Sequence, residues 1–302
     1  MSADAVLYDV PGPQARRRSL IGGVIAGLLI LAALAVAGLR LADQGQFSGE
    51  LWGPLFNPSH ENFQDVWRLI GEGLLATLKA AVLAIVLSLV VGTLIGVARL
   101  MLGRRSRLPL IGVIELLRGL PVVITIYYAS RVLPSLGVDL SGMPGGEGLW
   151  FLVIGLTAYN CVIIAEIIRA GVVSLPRGQR EAAMAIGLTP WATMRLVLLP
   201  QAVRVMLPAL ISQLVVILKD TSLAAVLGIY TELLRQGNLI ALNLDNPLQI
   251  LTVVGLIFIL LNYALGRLAG YAERRLSRAS SRVPAEAQEQ AADSRLGNTT
   301  GV

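Results

Sequence analysis

The sequence predicts an all-α protein that crosses a membrane with six helices. The first observation is composition: 55% of the 302 residues are hydrophobic and 15% are charged, whereas soluble domains carry roughly 25% charged residues. The second is that apolar residues form long segments with few or no charges, near the ~20 residues that a helix needs to cross a bilayer. The third is that arginines cluster in alternate connecting segments, which is typical of oriented membrane helices.

The six predicted spans differ in how much charge they carry. Leu20–Leu39 is uncharged throughout, and the second span carries only Lys79, near its start. The third reaches a spanning length only when an uncharged run is extended backwards over Leu110–Arg118. Backbone polar groups in lipid must be bonded internally, so each span is expected to be helical. In chain order the spans are Leu20–Leu39, Gly73–Ala98, Leu110–Ser130, Gly148–Ala165, Val205–Thr231 and Asn246–Gly266.

The placement of arginines orients these helices. Arginine clusters precede the first span, separate the second from the third and the fourth from the fifth, and follow the sixth, whereas residues 134–147 contain none. By the positive-inside rule, both termini are then cytoplasmic. The predicted organisation is a cytoplasmic segment (residues 1–19), a first transmembrane helix (20–41), an outer loop (42–72), a transmembrane core (73–271) and a disordered cytoplasmic tail (272–302).

The first span has a second interpretation as a cleaved signal peptide. It has a basic start, and Ala35-Val36-Ala37 resembles a cleavage site. An uncharged core of about 20 residues is long for a signal peptide, so we expect a retained helix. Cleavage stays open as the alternative, and either outcome leaves the orientation of the other five helices unchanged.

The outer loop is polar and carries the aromatic residues Trp52, Phe56, Phe63 and Trp67. Aromatic residues next to a span predict an interfacial belt at the lipid headgroups. A docking surface for an external partner is the alternative interpretation of the same residues.

Residue counts exclude several kinds of chemistry. Cys161 is the only cysteine and His60 the only histidine, so an intramolecular disulfide, a cysteine-rich metal cluster and an HExxH site are not available. The sequence contains no Gly-x-x-x-x-Gly-Lys-Ser/Thr loop, so we do not expect the chain to hydrolyse ATP alone. The net charge of +6 does not indicate nucleic-acid binding, because the arginines flank apolar segments. No cofactor is expected.

The longest arginine-rich loop, residues 177–200, is predicted to form two short helices. Residues 181–186 are mostly good helix formers. Gly187 supplies the left-handed residue that commonly ends a helix. Thr189 is then a suitable N-cap for the second helix, with Pro190 at its first position.

Two features of this loop bear on its surroundings. The second helix is expected to stop before Pro200, because proline lacks an N–H group and clashes with the preceding turn. Residues 182–186 are uncharged, which indicates either an apolar knob for a protein partner or a face packed on the membrane helices.

The loop also resembles the EAA motif of permease subunits of binding-protein-dependent ABC importers. That motif is Glu-Ala-Ala, three residues, glycine, nine residues, an aliphatic residue, any residue and Leu-Pro. Val197 stands where isoleucine is usual. The resemblance implies that this loop couples the chain to a separate ATPase. The matching residues are Glu181, Ala182, Ala183, Gly187, Val197, Leu199 and Pro200.

Three further segments are similar to those of permeases for polar amino acids. Residues 117–121 resemble their Arg-Gly-x-Pro segment, with Leu120 where a small polar residue is common. Residues 165–171 and 218–223 also look like that subfamily. The first helix and its long outer loop look most like permeases of actinobacterial glutamate importers.

The resemblance implies a type I ABC importer permease fold, with a five-helix core plus an N-terminal helix, in a bacterial plasma membrane. Its implied partners are an ABC ATPase, a second permease subunit (the same chain or a sister chain), an extracytoplasmic substrate-binding protein and membrane lipid. The implied substrate is a polar amino acid, with glutamate as the first expectation.

Charges within the predicted spans are candidates for the substrate path or for gating, because they are costly in a bilayer. Lys219 and Asp220 are adjacent and point about 100° apart on a helix, so each needs another partner. Structural pairing and a gating or substrate role both stay open for them. Arg131 suits a substrate carboxylate, and snorkelling to lipid headgroups is the alternative.

Two further pairs are spaced for ion pairing along one helical face. Glu115 lies three residues before Arg118, and Glu166 three before Arg169. An interfacial position is expected for the first pair and a structural anchor for the second. The complete candidate set for the path or gate is Arg118, Arg131, Glu166, Lys219 and Asp220.

Other functions explain less of the sequence. A secondary amino acid transporter driven by an ion gradient accounts for six spans and buried charge, but not for the EAA loop. A membrane-embedded enzyme needs a catalytic cluster, and no histidine, cysteine or paired-carboxylate constellation is evident. An exporter is disfavoured, because the EAA element belongs to importers.

Overall fold

The structure is a computed structural model that describes residues 12–278, and within this range it is entirely helical, as predicted. Thirteen α-helices and one π-helical segment follow one another without an intervening strand in these residues. In chain order they are α1 (Pro13–Asp43), α2 (Gly49–Phe56), α3 (Phe63–Met101), α4 (Arg104–Gly119), α5 (Val122–Ser135), α6 (Glu147–Ser174), α7 (Arg177–Ala185), α8 (Pro190–Thr193), the π segment (Met194–Leu198), α9 (Leu199–Val205), α10 (Leu207–Asp220), α11 (Leu223–Leu227), α12 (Leu233–Leu244) and α13 (Pro247–Arg278).

Five helical segments of the described chain are long and apolar enough to cross a membrane. They are α1, α3, α6, α10 together with α11, and α13. The consecutive helices α4 and α5 form a bent pair that makes a sixth span if counted as one broken helix. The predicted six-helix membrane bundle is therefore confirmed when this pair is counted as one span.

The predicted third span, Leu110–Ser130, is not one straight helix. Helices α4 and α5 meet at an angle of 107°. The break lies at Leu120 and Pro121, whose backbones are extended, with ψ of 139° and 135°. Proline has no N–H group to continue the helical ladder and pushes the preceding residue out of the helical region, which explains the break.

Two other segments differ from the prediction. Residues 232–245, expected to be a connecting loop, contain α12, because Glu232 caps the helix and its apolar face is buried against α3 and α13. Helix α13 continues to Arg278 and so extends the helix into the tail predicted for residues 272–302. The rest of that tail, like residues 1–11 of the predicted N-terminal segment, lies outside the described residues.

The core is built on α3 and α6, which lie close together because glycines face the contact. A Cβ atom on Gly92 would lie 2.7 Å from the carbonyl oxygen of Cys161, and one on Gly96 would lie 2.8 Å from that of Ala165. Small residues at such contacts let membrane helices approach closely. Leu152, Leu156 and Ile164 of α6 are fully buried in the same core.

Helix α1 differs from the other spans in having no buried residue. Apolar side chains along its length, such as Leu28 and Leu39, are more than half exposed. Its surface is therefore available to lipid or to another chain.

Candidate functional site

The first half of the EAA-like loop folds as α7 and ends in the predicted turn. Gly187 has a φ of +87°, a conformation that other residues rarely adopt. The N–H group of Gly187 donates to the carbonyl oxygen of Met184 at 3.0 Å, and that of Leu188 donates to Ala183 at 3.2 Å. These two hydrogen bonds form a Schellman cap, which explains the need for glycine at this position.

The second half of the loop begins as predicted. Thr189 is the N-cap of α8, and its hydroxyl accepts a hydrogen bond from the N–H group of Ala192 at 3.3 Å. Pro190 occupies the first helical position, where its missing N–H group leaves no hydrogen bond unmade.

The expectation that this helix stops before Pro200 is wrong. The chain passes from α8 into the π segment and then into α9, which contains Pro200 in its first turn. The N–H group of Leu199 donates to the carbonyl oxygen of Met194, five residues back. A π turn widens the helix by one residue. The wider turn makes room for the proline ring, which would clash with the preceding turn of a regular α-helix.

Helix α7 has a packed face and an exposed face. Ala183 is 5% exposed, whereas Met184 is 46% and Ile186 80% exposed. Glu181 and Ala182 also face outward. Ala183 therefore packs on the chain, whereas the apolar side chains of Ala182, Met184 and Ile186 are exposed and form a surface hereafter called the knob.

The segment after the turn is fixed to the ends of two spans. Met194 and Leu198 are buried against Val97 of α3, and Val172 of α6 and Leu175, the residue after α6 ends, pack beside them. Helix α9 also lies against α6, because a Cβ atom on Gly171 would lie 3.1 Å from the carbonyl oxygen of Ala202. Residues 177–205, hereafter the coupling segment after the role proposed for them below, thus pack on α3 and α6 through Met194, Leu198 and Ala202.

Glu166 joins two helices of the same region, α3 and α6. Its Oε1 accepts a hydrogen bond from Nε of Arg169 at 3.0 Å, which confirms the predicted pair. Its Oε2 also accepts a hydrogen bond from Nη1 of Arg99 on α3 at 2.6 Å. Sequence spacing could not reveal Arg99, because it lies 67 residues away. The three side chains connect α3 to α6 just before the coupling segment.

The remaining arginine candidates are more exposed. Nη2 of Arg118 lies 3.4 Å from Oε2 of Glu115, and both side chains are half exposed, which confirms this predicted pair. The guanidinium of Arg131 lies 5.7 Å from the ring centre of Tyr127. Among residues 12–278, no carboxylate lies within 4 Å of Arg131.

Lys219 and Asp220 lie in the last turn of α10, next to a break in the fifth span rather than within one continuous helix. Lys219 is exposed and Asp220 is half-buried. In the described part of the chain, no ion pair joins either of them to another side chain, including Arg118, Arg131 and Glu166.

Sequence reasoning missed a buried amide pair between α6 and α10. Nε2 of Gln213 donates to Oδ1 of Asn160 at 2.6 Å, and Nδ2 of Asn160 donates to the carbonyl oxygen of Leu156 at 2.8 Å. Asn160 is fully buried. Single amides within apolar spans were the available signal, since such groups must find partners in a bilayer.

Glu232 was also missed, although it is fully buried. Its carboxylate caps α12 by accepting hydrogen bonds from the N–H groups of Leu234 at 2.9 Å and Arg235 at 2.8 Å. Burial raises the pKa of this carboxyl, and the two hydrogen bonds oppose that shift. The N–H group of Leu233 also donates to the hydroxyl of Thr77 at 3.0 Å, which ties α12 to α3.

Within residues 12–278, no group of three or more His, Cys, Asp and Glu side chains is placed to hold a metal ion.

Comparison with known proteins agrees with the all-helical membrane fold. Residues 84–278 match the family described as binding-protein-dependent transport system inner membrane component. The chain is 40% identical over 253 residues to the glutamate transport system permease protein GluD of Corynebacterium glutamicum, covering 83% of this chain and 89% of that protein. It is 36% identical over 208 residues to the glutamine transport system permease protein GlnP of Escherichia coli strain K12, covering 69% and 93%.

A solved structure supports the same assignment. The crystal structure of an amino acid ABC transporter with histidines has a TM-score of 0.62 and 27% identity, covering 70% of this chain and 96% of that chain. The type I importer permease fold and the resemblance to amino acid permeases are therefore confirmed. The chain belongs to the family of binding-protein-dependent transport system inner membrane components, as a multi-pass permease of the amino acid ABC importer class.

Proposed function

We propose that this chain forms the translocation path of an ATP-driven importer for glutamate or a related polar amino acid, and that the coupling segment connects it to a separate ATPase subunit. The observation that carries the proposal is the exposed apolar knob on α7, next to residues packed on α3 and α6. A knob with this surface fits a groove on a partner protein. The coupling residues are Glu181, Ala182, Ala183, Gly187, Leu199 and Pro200.

The mechanism is alternating access driven by rigid-body motion. ATP-dependent closure of the ATPase pair moves α7, which lies in the ATPase groove. Because Met194 and Leu198 pack on α3 and α6, the motion passes to the spans. The π segment and α9 carry it onward to α10. The membrane-spanning helices then rotate around the substrate path. Packed helices are expected to move together in this way as rigid units.

The other partners follow from the same assignment. A second permease subunit, identical or a sister chain, completes the path, and an extracytoplasmic binding protein delivers the amino acid. The outer loop, residues 42–72, faces that binding protein if both termini are cytoplasmic. Labelling an added cysteine at Ser19 and another at Ser141 from each side of intact cells tests this orientation.

Within the path we propose two sets of polar groups. Lys219 and Asp220 lie beside a helix break without an ion-pair partner in the described chain, and so are free to face the substrate or the second subunit. The second set, the buried amides of Asn160 and Gln213, hydrogen-bond to each other and hold α6 against α10 behind the path. Arg118 and Glu166 act as structural anchors or gates in this scheme.

Arg131 is proposed to hold a substrate carboxylate, since its guanidinium is exposed on α5 and stacks on Tyr127 without an ion-pair partner in residues 12–278. Loss of a hydrogen bond to a charged group is worth about 1.5–3 kcal/mol, so Arg131→Ala should raise the KM for glutamate about tenfold or more. Arg131→Lys, which keeps the charge, is the control. Unchanged affinity and rate in Arg131→Ala would remove the substrate role and favour snorkelling.

The test of the function is uptake of a labelled amino acid panel by cells carrying or lacking this subunit. We expect selective loss of glutamate or another acidic amino acid. Loss of a basic amino acid instead would keep the importer but overturn the substrate, and attention would move to Glu115, Glu166 and Asp220.

The energy source separates this proposal from a secondary transporter. Uptake should stop when ATP is depleted with the ion gradients held constant, and should persist when a protonophore collapses the gradient at constant ATP. Uptake that persists without ATP but stops when the ion gradient collapses would identify a secondary transporter and contradict the proposed coupling role.

A further inference from the structure

Helix α4 crosses α3 and α6 steeply instead of running along them. Its apolar cluster with α6 uses a single turn of that helix, Cys161–Ile163. On α4 the same cluster extends over about 10 Å of the helix axis, at 1.5 Å per residue. Two helices that run side by side would share contacts over similar lengths. The contact residues of α4 are Leu110, Ile114 and Leu117, and those of α3 are Val91 and Ile95.

Helix α5 is long enough to return the chain across the membrane without α4. Helices α3 and α6 run in the same direction, because Gly92 meets Cys161 and Gly96 meets Ala165, so the chain between them must cross once. The 14 residues of α5 cover about 21 Å, and the extended residues 120–121 add about 7 Å. The total is close to the ~30 Å of the hydrocarbon core.

The residues of α4 form three faces, because successive side chains on a helix turn by about 100°. The side chains packed on α3 and α6 form the first. Four charged side chains lie within an arc of about 80° that also holds the half-buried Ile111, and form the polar face. Exposed apolar side chains lie on the opposite side and form the membrane face. The charged residues are Arg104, Arg107, Glu115 and Arg118, and the membrane face consists of Pro109, Val113 and Leu116.

The polar face is turned toward the end of the bundle that carries the coupling segment. Arg118 attracts the carboxylate of Glu166, which lies one turn beyond Val162 in the direction of that segment. The opposite side of α4, with Val113 and Leu116, is therefore turned back toward the middle of the spans.

This arrangement fits the boundary between lipid and water. A helix in this position lies in the membrane plane, with its apolar face about 5–10 Å deep at the edge of the acyl chains. Val113 and Leu116, both more than half exposed, would be covered there by lipid. In a spanning helix the charged residues of the polar face would instead enter the hydrocarbon core, which is costly.

We propose that α4 lies in the plane of the membrane surface and that the partner of its membrane face is the lipid bilayer itself. Pro109, Val113 and Leu116 enter the acyl region, the polar face meets headgroups and water, and α5 alone makes the crossing. Helix α4 thereby holds α3 and α6 at a fixed depth beside the coupling segment. Naming this surface cytoplasmic rests on the proposed function, whereas the placement of α4 in the membrane does not.

The test is the depth of spin labels in the full chain, reconstituted in liposomes of phosphatidylethanolamine and phosphatidylglycerol. Single labels are placed on Arg105→Cys and Leu116→Cys, while the buried Cys161 stays unlabelled. These two positions point within about 20° of each other and lie about 16 Å apart along α4. Accessibility to oxygen and to a water-soluble nickel complex gives each depth. Both labels should lie within the interfacial layer and differ in depth by less than about 5 Å.

The matched control uses a helix that crosses the membrane. Labels on Val82→Cys and Val90→Cys, both at exposed positions of α3, should differ in depth by about 12 Å. A label on Leu116→Cys that is deeper than the one on Arg105→Cys by most of the 16 Å, at ~1.5 Å per residue, would show that α4 spans, and would overturn the proposal. Labels that are both open to water would do the same. Either result leaves the proposed transport function standing, because neither substrate nor ATP enters the measurement.

A second variant tests whether the membrane face holds the helix in place. Val113→Asn/Leu116→Asn puts polar amides where acyl chains are expected, so a label on Arg105→Cys should lose oxygen accessibility and gain accessibility to nickel. Leu108→Asn, which lies between the polar and membrane faces, is the control and should leave that label unchanged. An unchanged label depth in the double variant would mean that lipid does not hold this face.

Discussion

The coupling segment and the α4–α5 elbow each contain a Leu-Pro step, yet the helix breaks in only one of them. At the elbow, Leu120 and Pro121 are extended, and the two helices meet at 107°. In the coupling segment, Leu199 stays helical, with φ −61° and ψ −44°, and α9 continues through Pro200.

Packing explains the difference. On either side of Pro200, Leu198 is 6% exposed and Ala202 is fully buried, so the turn is held from both directions. At the elbow, Gly119 and Pro121 are exposed and Leu120 is half-exposed. The preference of the residue before proline for an extended backbone is therefore realised at the exposed Leu120–Pro121 step, whereas packing and a π turn keep the chain helical at Pro200. Exposure alone does not break a helix at proline, because the exposed Pro109 and Pro134 lie inside α4 and α5.

If the coupling segment transmits motion from the ATPase to the spans, a change at its Gly187 turn should have the largest effect on uptake. Gly187→Asp should abolish uptake while the subunit remains inserted. The residue sits at φ +87°, where a side chain adds strain of about 1–3 kcal/mol and projects from the turn beside the exposed knob. Uptake and membrane abundance are measured on the same cells.

The control for this substitution is Gly178→Asp. Gly178 lies in α7, the helix that ends just before Gly187, has space around it and does not need a positive φ. It should keep a clearly larger share of uptake than Gly187→Asp. Equal loss in both variants would show sensitivity to any added acid on α7, and normal uptake by Gly187→Asp would contradict the coupling role.

The second prediction tests the two proline steps directly. Pro121→Ala should partly straighten the elbow, since an interior proline costs a continuous helix about 3 kcal/mol or more. Pro200→Ala should change little, because the chain is already helical there and the packing that holds it remains. The angle between α4 and α5 should therefore change in the first variant and stay unchanged in the second.

The geometry is measured by electron spin resonance between labels on the exposed residues Val113 and Val132, each changed to cysteine. Cys161 is buried and should remain unlabelled. A longer, broader distance distribution in Pro121→Ala, and an unchanged one in Pro200→Ala, is expected. An unchanged elbow in Pro121→Ala would mean that neighbouring contacts, not proline, set the bend.

The two regions also show what the sequence could predict. The turn at Gly187 and the cap at Thr189 depend on local backbone chemistry, so residue type alone identified them. Spans were recognised because apolar length is a property of the sequence. At the elbow, the apolar run predicted one continuous span, whereas Pro121 predicted a break. The prediction followed the apolar run, and the structure has the break.

Residues that depend on distant partners were missed. Arg99 meets Glu166 across 67 residues, and the π turn before Pro200 depends on burial of Leu198 against other helices. Helix α12 is too short to cross a membrane, so these residues were predicted to be a connection. The helix is stabilised by its buried N-cap, Glu232, and by burial of its own apolar face. Such contacts are set by the three-dimensional packing rather than by spacing.

The third prediction compares the ion pairs of the two regions. Glu166→Gln removes the carboxylate that bridges Arg99 and Arg169, whose side chains are 17% and 32% exposed. We expect the free energy of unfolding to fall by about 1–2 kcal/mol, between the values for exposed and buried pairs. Glu115→Gln, at the half-exposed pair on α4, should cost under about 0.5 kcal/mol. Unfolding in urea at fixed detergent concentration gives both values, and equal costs would mean that Glu166 does not clamp α3 to α6.

The smallest expected effect concerns the cap within the coupling segment. Thr189→Ala removes an exposed hydrogen bond of 3.3 Å to Ala192, and should destabilise α8 by about 0.5 kcal/mol, the low end for N-caps. Because Met194 and Leu198 hold the following turn from α3 and α6, this loss should stay local. Hydrogen exchange at the Ala192 amide should therefore quicken while uptake stays near normal, and Thr189→Ser should restore the slower exchange. A strong loss of uptake in Thr189→Ala would mean that the coupling segment is held by its own local structure rather than by its packing on the spans.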